Sequence, residues 1–345
     1  MKRVSVVIRS KDEADRLRLT LTSLACQSQP CEVIVVNDGS SDHSEDVIAT
    51  AQGGGMDIVA LHNATPSGRS AASNAGAAAA SGDVVLFLDG DTLAAPNLIS
   101  EHVDKHAERA NLIVRGSTHN LRCTRSFLDP ELGTPQQGEE ARVGRMSTIE
   151  RERAIVTREQ IRNRFHEIDS RSQPGVYPGF GPRKLFELEM EALNSAADCP
   201  VLWAASSGSN MSIDRLAFLD AGGFNPELDN NEHRELALRL CNRGLSMVGS
   251  KGRTYHLTHR SGWRDPLVEN AWEDVFFAAH PTAEVALLAV FWASLADAPD
   301  LPEAARLYSL PDLAAAAERC RGVVGRQAVR EAHLRWASTS SGRLQ

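Results

Sequence analysis

An Asp-x-Asp pair closes a short apolar run: Val84-Val85-Leu86-Phe87-Leu88 leads directly into Asp89-Gly90-Asp91. Such a run reads as a strand buried on both faces. In an open α/β sheet, ligands bind outside the carboxyl ends of the strands. Two carboxylates there, with glycine between them, reach one divalent cation and one ligand hydroxyl together. Hard cations such as Mg²⁺ or Mn²⁺ favour carboxylate oxygen and share sites with phosphates. The competing reading is a strand-end turn, because Asp-Gly is ordinary turn chemistry.

The elements that must position this pair come from residues 1–118. Strand and helix signals alternate there with short connections, which predicts βαβ units and a mostly parallel sheet. Val4–Ile8 reads as the first strand and Asp12 onward as a helix with Leu17, Leu21 and Leu24 on one face. Glu32–Val36 is the second strand, and Asp42 or Ser41 caps a helix carrying Val47, Ile48 and Ala51. Gly53-Gly54-Gly55 stops that helix, Ile58–Leu61 is the third strand, and Gly68–Ser81 is a small-residue helix able to lie close to the sheet.

Residues 119–199 change character. They are charged, broken by Pro and Gly at 130–138 and 174–182, and helical in pattern around 147–168, as in a partly mobile insertion or acceptor-side element. Apolar patterning resumes at Val201-Leu202-Trp203-Ala204, and 200–264 reads as a further half. Residues 265–345 are an alanine-rich helical extension, suited to covering the core or contacting a second subunit in a homodimer.

Composition limits the options. A chain of 345 residues holds a substantial core. Its net charge of −8 argues against general nucleic-acid binding, although 142–171 and 251–264 are rich in arginine. No run of about 18 apolar residues is present, so no integral membrane contact is expected. Met1-Lys2-Arg3-Val4 enters a strand pattern rather than a signal-peptide apolar region. The six cysteines lack CxxC spacing, which favours reduced thiols in a cytoplasmic protein over a zinc cluster.

Four segments stand in one order: Ser5-Val6-Val7-Ile8-Arg9-Ser10-Lys11-Asp12-Glu13, Val35-Val36-Asn37-Asp38-Gly39-Ser40-Ser41-Asp42, Gly68-Arg69-Ser70-Ala71-Ala72-Ser73-Asn74-Ala75-Gly76, and Asp89-Gly90-Asp91. Together they resemble the inverting family 2 glycosyltransferases of the GT-A fold. The resemblance covers 3–118 well and 200–260 moderately. It implies an α/β protein with a Rossmann-like, mostly parallel sheet flanked by helices, here with the charged helical insertion and the C-terminal extension added. It also implies a donor site. Asp38 would accept from the nucleotide base, and Arg9–Ser10 backbone would line the base pocket, although most relatives have proline at position 9. Arg69 would stack on the base or approach a phosphate, and Asn74 would hold the base or the loop. Asp89-Gly90 would meet the ribose, and Asp91 would ligate a Mn²⁺ or Mg²⁺ ion bridging the diphosphate.

On the acceptor side, Gly222-Gly223-Phe224-Asn225 and then Asn231-Glu232-His233-Arg234 resemble the family's Gly-Gly-Phe followed by a Glu-Asp pair opening a helix. The aspartate is the usual general base, and here its position is His233. His233 is therefore the expected base, with Glu232 as its orienter or substitute and Asp229 in reserve. Leu236, Leu238 and Leu240 are expected in the core. His256 or His259 falls where metal-dependent relatives place a histidine ligand after a strand. Trp203 and Trp263 would stack on a sugar or pack in the core.

The expected function is metal-dependent, inverting transfer of a sugar from a nucleoside diphosphate, UDP first, to a soluble small-molecule, carrier-bound or peptide acceptor. Two rivals are a sugar-nucleotide nucleotidyltransferase, whose Gly-rich basic loop after strand one is absent here, and a non-catalytic nucleotide-sugar-binding protein.

Overall fold

The computed structural model describes residues 2–175, 185–228, 230–259, 271–295 and 298–341. The chain opens with β1 (Val4–Ser10), α1 (Ala14–Ala25), β2 (Glu32–Asp38), α2 (Ser44–Gly53), β3 (Ile58–Asn63), α3 (Arg69–Ala79) and β4 (Val84–Asp89). Next come β5 (Thr92–Ala94), α4 (Leu98–Glu108), β6 (Leu112–Asn120), β7 (Phe127–Asp129) and β8 (Thr134–Pro135). Four short helices follow, α5 (Glu140–Gly144), α6 (Thr148–Ala154), α7 (Arg158–Asn163) and α8 (Phe165–Arg171), and then β9 (Gln173–Pro174). The remainder is α9 (Leu185–Ser195), β10 (Met211–Asp214), α10 (Arg215–Asp220), α11 (Glu232–Asn242) and β11 (Ser246–His256), with α12 (Ala271–Ala279), α13 (Ala283–Leu295), α14 (Leu310–Arg319) and α15 (Arg326–Ser341) closing the chain.

The main sheet has nine strands in the order β3-β2-β1-β4-β10-β6-β11-β5, with β9 pairing the end of β6. β1, β2, β3 and β4 run parallel, as do β6 and β11, while β10 lies antiparallel between β4 and β6. β5 returns antiparallel along β11. The apolar runs are buried on both sides because alternate residues point into different cores. Val6, Ile8, Val33, Val35, Leu86 and Leu88 face a layer formed by α1, α2 and α4. Val7, Ile34, Val85 and Phe87 face α3, α9 and the C-terminal helices. α3 lies close to the sheet because a Cβ at Gly76 would stand 2.5 Å from Val7 Cγ1.

Two expected boundaries shift. α1 starts at Ala14 rather than Asp12, because Asp12 takes a left-handed φ of 53° and its Oδ1 accepts from the Ser41 amide at 2.7 Å. Asp42, not Ser41, serves the helix starts: Oδ1 accepts from Ser44 N at 3.0 Å and Oδ2 from Ala14 N at 2.9 Å.

The insertion carries small cores of its own. Val156, Ile161 and Ile168 pack with Leu19, Leu93, Leu121, Tyr255 and Leu257, while Phe127, Val143 and Ala154 form a second cluster. Helices of 5 to 7 residues are too short to display an apolar stripe in sequence. Capping boxes at Ser147/Glu150 and Thr157/Gln160 start two of them. α9 falls inside 119–199 but packs in the main core through Leu188, Ala192 and Leu193. In the extension, α13 is apolar all round and correspondingly buried, and Leu307, Leu310 and Leu313 join the same core. Among the described residues no helix is long and apolar enough to cross a membrane.

Candidate active site

Parallel pairing sets Arg9, Ser10, Asp38 and Asp89 along one sheet edge. Arg9 is in register with both Val36 and Asp89, Ser10 with Asn37, and Asp38 with Asn63. Strand β2 runs two residues beyond the expected Val36, which carries Asn37 and Asp38 into the ladder. The Asp38 carboxylate organises the loop ahead of α3. Its Oδ1 accepts from Asn63 Nδ2 at 2.7 Å, Ser67 N at 2.7 Å and Ser67 Oγ at 2.8 Å, and its Oδ2 from Gly68 N at 3.0 Å. Burial opposes the charge, but these bonds outweigh it and hold Asp38 below the usual carboxylate range. The loop so fixed delivers Arg69 to the wall of a cavity of ≈ 180 Å³.

Asn74 does different work. Its Oδ1 accepts from Phe224 N and its Nδ2 donates to Phe224 O, both at 2.8 Å, so its amide is spent tying α3 to the Gly-Gly-Phe turn. Gly90 is glycine for a packing reason: a Cβ there would stand 2.7 Å from the Ser10 hydroxyl. Glu13, which sequence reasoning passed over, is half-buried against the same glycine and near Asp91. Burial first, and then the charge of Asp91, raises its carboxyl well above the ordinary value.

Asp91 meets both candidate histidines. Antiparallel pairing sets Thr92 opposite His256, and Leu257 N donates to Asp91 O at 2.8 Å. Asp91 Oδ2 then lies 3.1 Å from His256 Nε2 and 2.8 Å from His259 Nε2. These ligand-type atoms all lie within 4.8 Å of one another. His256 Nδ1 stands 3.2 Å from Asn120 Oδ1, whose amide nitrogen donates to Gly175 O. With that amide oxygen as acceptor, Nδ1 donates, and Nε2 faces Asp91. Burial opposes charge on this pair, yet Asp91 is held well below its ordinary pKa by the histidines, and His256 is raised by Asp91.

Across the cavity, the start of α11 presents Glu232 and His233. Asn231, in a left-handed conformation at φ 66°, turns the chain into the helix. Arg9 spans the gap: its Nε donates to Asp89 Oδ1 at 3.0 Å and its Nη1 to Glu232 Oε1 at 3.1 Å. The side chain of Arg9, rather than its backbone alone, therefore enters the site. Burial works against charge on both Glu232 and Arg9, but His233 and Arg9 hold Glu232 far below the usual range, and Asp89 and Glu232 hold Arg9 charged. His233 is lowered by burial and then by Arg234. Its Nε2 lies 2.8 Å from Arg234 Nη1, a group that only donates, so the imidazole lone pair is engaged there. Its Nδ1 faces Glu232 Oε2 at 3.7 Å.

Sequence reasoning also missed a buried ion triad beneath this wall. Glu189 from α9 accepts from Arg234 Nη2 at 2.6 Å and pairs with Arg115 Nη1 from β6 at 2.6 Å. Arg115 and Arg234 also donate to the carbonyls of Ala205 and Ala204. The 206–209 loop closes the cavity, with Ser209 Oγ accepting from Asp89 N at 3.3 Å. Only the position of Arg234, next to Glu232-His233, hinted at this triad. Trp203 packs in the main core, as do Leu236, Leu238 and Leu240. Trp263 and Asp229 lie outside the described residues.

The family model for glycosyl transferase family 2 matches residues 5–152. The chain carries a family 2 glycosyltransferase domain. An uncharacterized glycosyltransferase of Nostoc sp. is 35% identical over 103 residues, covering 30% of this chain and 32% of that protein. The undecaprenyl-phosphate 4-deoxy-4-formamido-L-arabinose transferase of Serratia proteamaculans is 41% identical over 96 residues, covering 26% of this chain and 29% of the relative. The chain thus spans about a third of the length of these curated relatives. A mannosyltransferase from Pyrobaculum calidifontis, solved with GDP-Man and Mn²⁺, superposes with a TM-score of 0.51 at 15% identity, over 100% of this chain and 76% of that one. The family 2 domain and its sheet have the GT-A fold.

Proposed function

We propose that the protein transfers a sugar from a nucleoside diphosphate, UDP first, to an acceptor hydroxyl or amine with inversion at the anomeric carbon. One observation carries this reading. Asp91, His256 and His259 cluster together, and through His256 the cluster adjoins a cavity that Asp89, Glu232 and His233 also line, at the carboxyl edge of the sheet.

The residues fit a divalent cation. Two donors at right angles on one ion, each about 2.1 Å from it, stand about 3.0 Å apart. The His256 and His259 nitrogens stand 3.1 Å and 2.8 Å from Asp91 Oδ2. A bound Mn²⁺ or Mg²⁺ supplies charge neutralisation for the departing diphosphate. Arg69 adds a second positive group on the donor side, and Asp38 fixes the loop that presents it. Asp89 keeps Oδ2 for a ligand hydroxyl while Arg9 occupies Oδ1.

The acceptor's proton goes to the Glu232–His233 pair. The sequence makes His233 the base and Glu232 its orienter. The hydrogen bonding favours the reverse order, because Arg234 occupies the imidazole lone pair while Glu232 is an ionised carboxylate beside His233 Nδ1. In this reading Glu232 receives the proton and His233 orients it. The acceptor is small, carrier-bound or a peptide. The Serratia relative is named for an undecaprenyl-phosphate substrate, which supports including a carrier phosphate among those tested.

A panel of UDP-, GDP- and dTDP-sugars with Mn²⁺, scored for binding, hydrolysis and transfer, tests the proposal. Donor binding without any turnover would favour a non-catalytic binding protein. Exchange of pyrophosphate into the nucleotide would favour a nucleotidyltransferase. Glu232→Gln is expected to cut kcat heavily with donor affinity preserved, and His233→Gln to cut it less. The opposite ranking restores His233 as the base.

A further inference from the structure

His256 ends β11, paired with Thr92 and Asn120, and the chain leaves the ladder there, so something other than the sheet must hold the segment that carries on to His259. Four main-chain contacts do. His256 O accepts from Leu121 N at 2.9 Å, Leu257 N donates to Asp91 O at 2.8 Å, Leu257 O accepts from Arg16 Nε at 3.3 Å, and Thr258 O accepts from Thr124 Oγ1 at 2.9 Å. Of these partners, Arg16 alone comes from an α-helix of the flanking layer. It stands on α1, is buried, and also donates through Nη2 to Phe127 O at 2.6 Å and through Nη1 to Leu128 O at 3.2 Å. One guanidinium thus fastens the histidine loop to the first strand of the insertion.

We propose that Arg16 is the positioning residue of the cation site, holding His256 and His259 against Asp91 and joining the insertion to that site. This inference rests on the cation reading above. The guanidinium is suited to the task because its rigid planar fork spreads donors over three separate nitrogens, whereas the three N–H groups of an ammonium radiate from a single one. Its charge also stands among Asp91, Glu13, Asp15 and Asp129. Lysine at this position keeps that charge and loses the fork, which separates positioning from electrostatics. Arg18, two residues on, binds the same insertion through Asp129 at 2.9 Å and Glu131 at 3.5 Å without touching the histidine loop. It therefore controls for loosening the insertion alone.

The test is Mn²⁺ binding to the full chain, read as loss of the free-ion electron paramagnetic resonance signal, with no nucleotide present. Outer-shell partners of metal ligands typically change metal affinity by about tenfold or more. Arg16→Lys is expected to weaken Mn²⁺ binding about tenfold, and Arg18→Met by less than about twofold. Arg16→Gln serves as the second variant, with folding of each checked by circular dichroism and gel filtration. A folded Arg16→Lys with wild-type affinity would overturn the proposal. So would an equal loss in Arg18→Met, or failure of both Arg16 variants to fold, since each would make the residue merely structural. Wild type that binds no Mn²⁺ would remove the cation from the proposed function and Arg16 with it.

Discussion

Replacing Glu189 is the sharpest test of how the acceptor-side wall is built. Its carboxylate is buried with 3% side-chain exposure and stands 2.6 Å from both the Arg115 and Arg234 guanidinium groups, themselves 3% and 10% exposed. Glu189→Ala removes the one carboxylate that these two buried cations share. Removing one partner of a buried pair typically costs about 3–5 kcal/mol, and because both cations share one carboxylate the losses are not additive. Total stabilities run roughly 5–15 kcal/mol, so most of the protein should remain folded in buffer. At an m-value of ~3 kcal/mol/M, the urea midpoint should fall by roughly 1–1.7 M. Urea titration at pH 7.5, followed by tryptophan fluorescence, measures this. Replacing all three members by apolar side chains (Arg115→Met, Glu189→Leu, Arg234→Met) should recover much of the loss, since well-packed substitutes for buried ion networks are often neutral or better. A midpoint for Glu189→Ala within about 0.3 M of wild type would refute the argument, because that shift corresponds to only ~1 kcal/mol.

Stability should also depend on pH through His102 and His106, which bond Ser212 from α4 and are lowered to about 4, His102 by burial and His106 by burial and then the charge of His102. The unfolded chain takes up protons below about 6.5 while the folded one resists until about 4, so stability is full above pH 6.5 and drains as pH falls, by up to ~1.4 kcal/mol per pH unit per histidine. Equal urea midpoints at pH 7 and pH 5 would contradict this. Cation binding should rank Co²⁺ and Mn²⁺ above Mg²⁺ by about tenfold or more, because two imidazoles suit transition ions better than Mg²⁺. Calorimetry with each ion checks the order, and parity with Mg²⁺ would argue against ligation by both histidines. Asp38→Asn should weaken UDP binding through the loop it organises, with a thermal midpoint shift of a few degrees. Unchanged affinity would make Asp38 a scaffold residue only.

Much of this protein is written locally in its sequence. The runs Val6–Ile8, Val33–Val36 and Val84–Leu88 are apolar without interruption, as strands buried on both faces are. Their polar ends, Ser10, Asp38 and Asp89-Gly90-Asp91, fall on one edge because parallel strands place their carboxyl ends together. The tripeptide Gly68-Arg69-Ser70 and the pair Glu232-His233 mark helix starts. Each is a statement about a few consecutive residues, which is the range over which periodicity and turn chemistry act.

Tertiary structure decided what those residues do. Asp91 and His259 are separated by 168 positions and Arg9 and Glu232 by 223, and no local pattern carries information over such distances. The register of β5 against β11 brings the histidines to Asp91, and the loop that Arg16 holds keeps them there. Asn74, read as holding the base or the loop, bonds Phe224 through both amide atoms, because the fold sets the Gly-Gly-Phe turn against α3. Whether His233 has a lone pair to offer depends on Arg234, whose direction is fixed in turn by Glu189 from a distant helix. Charge, hydrogen-bond capacity and burial belong to each residue's neighbours, and the neighbours here come from the far ends of the chain.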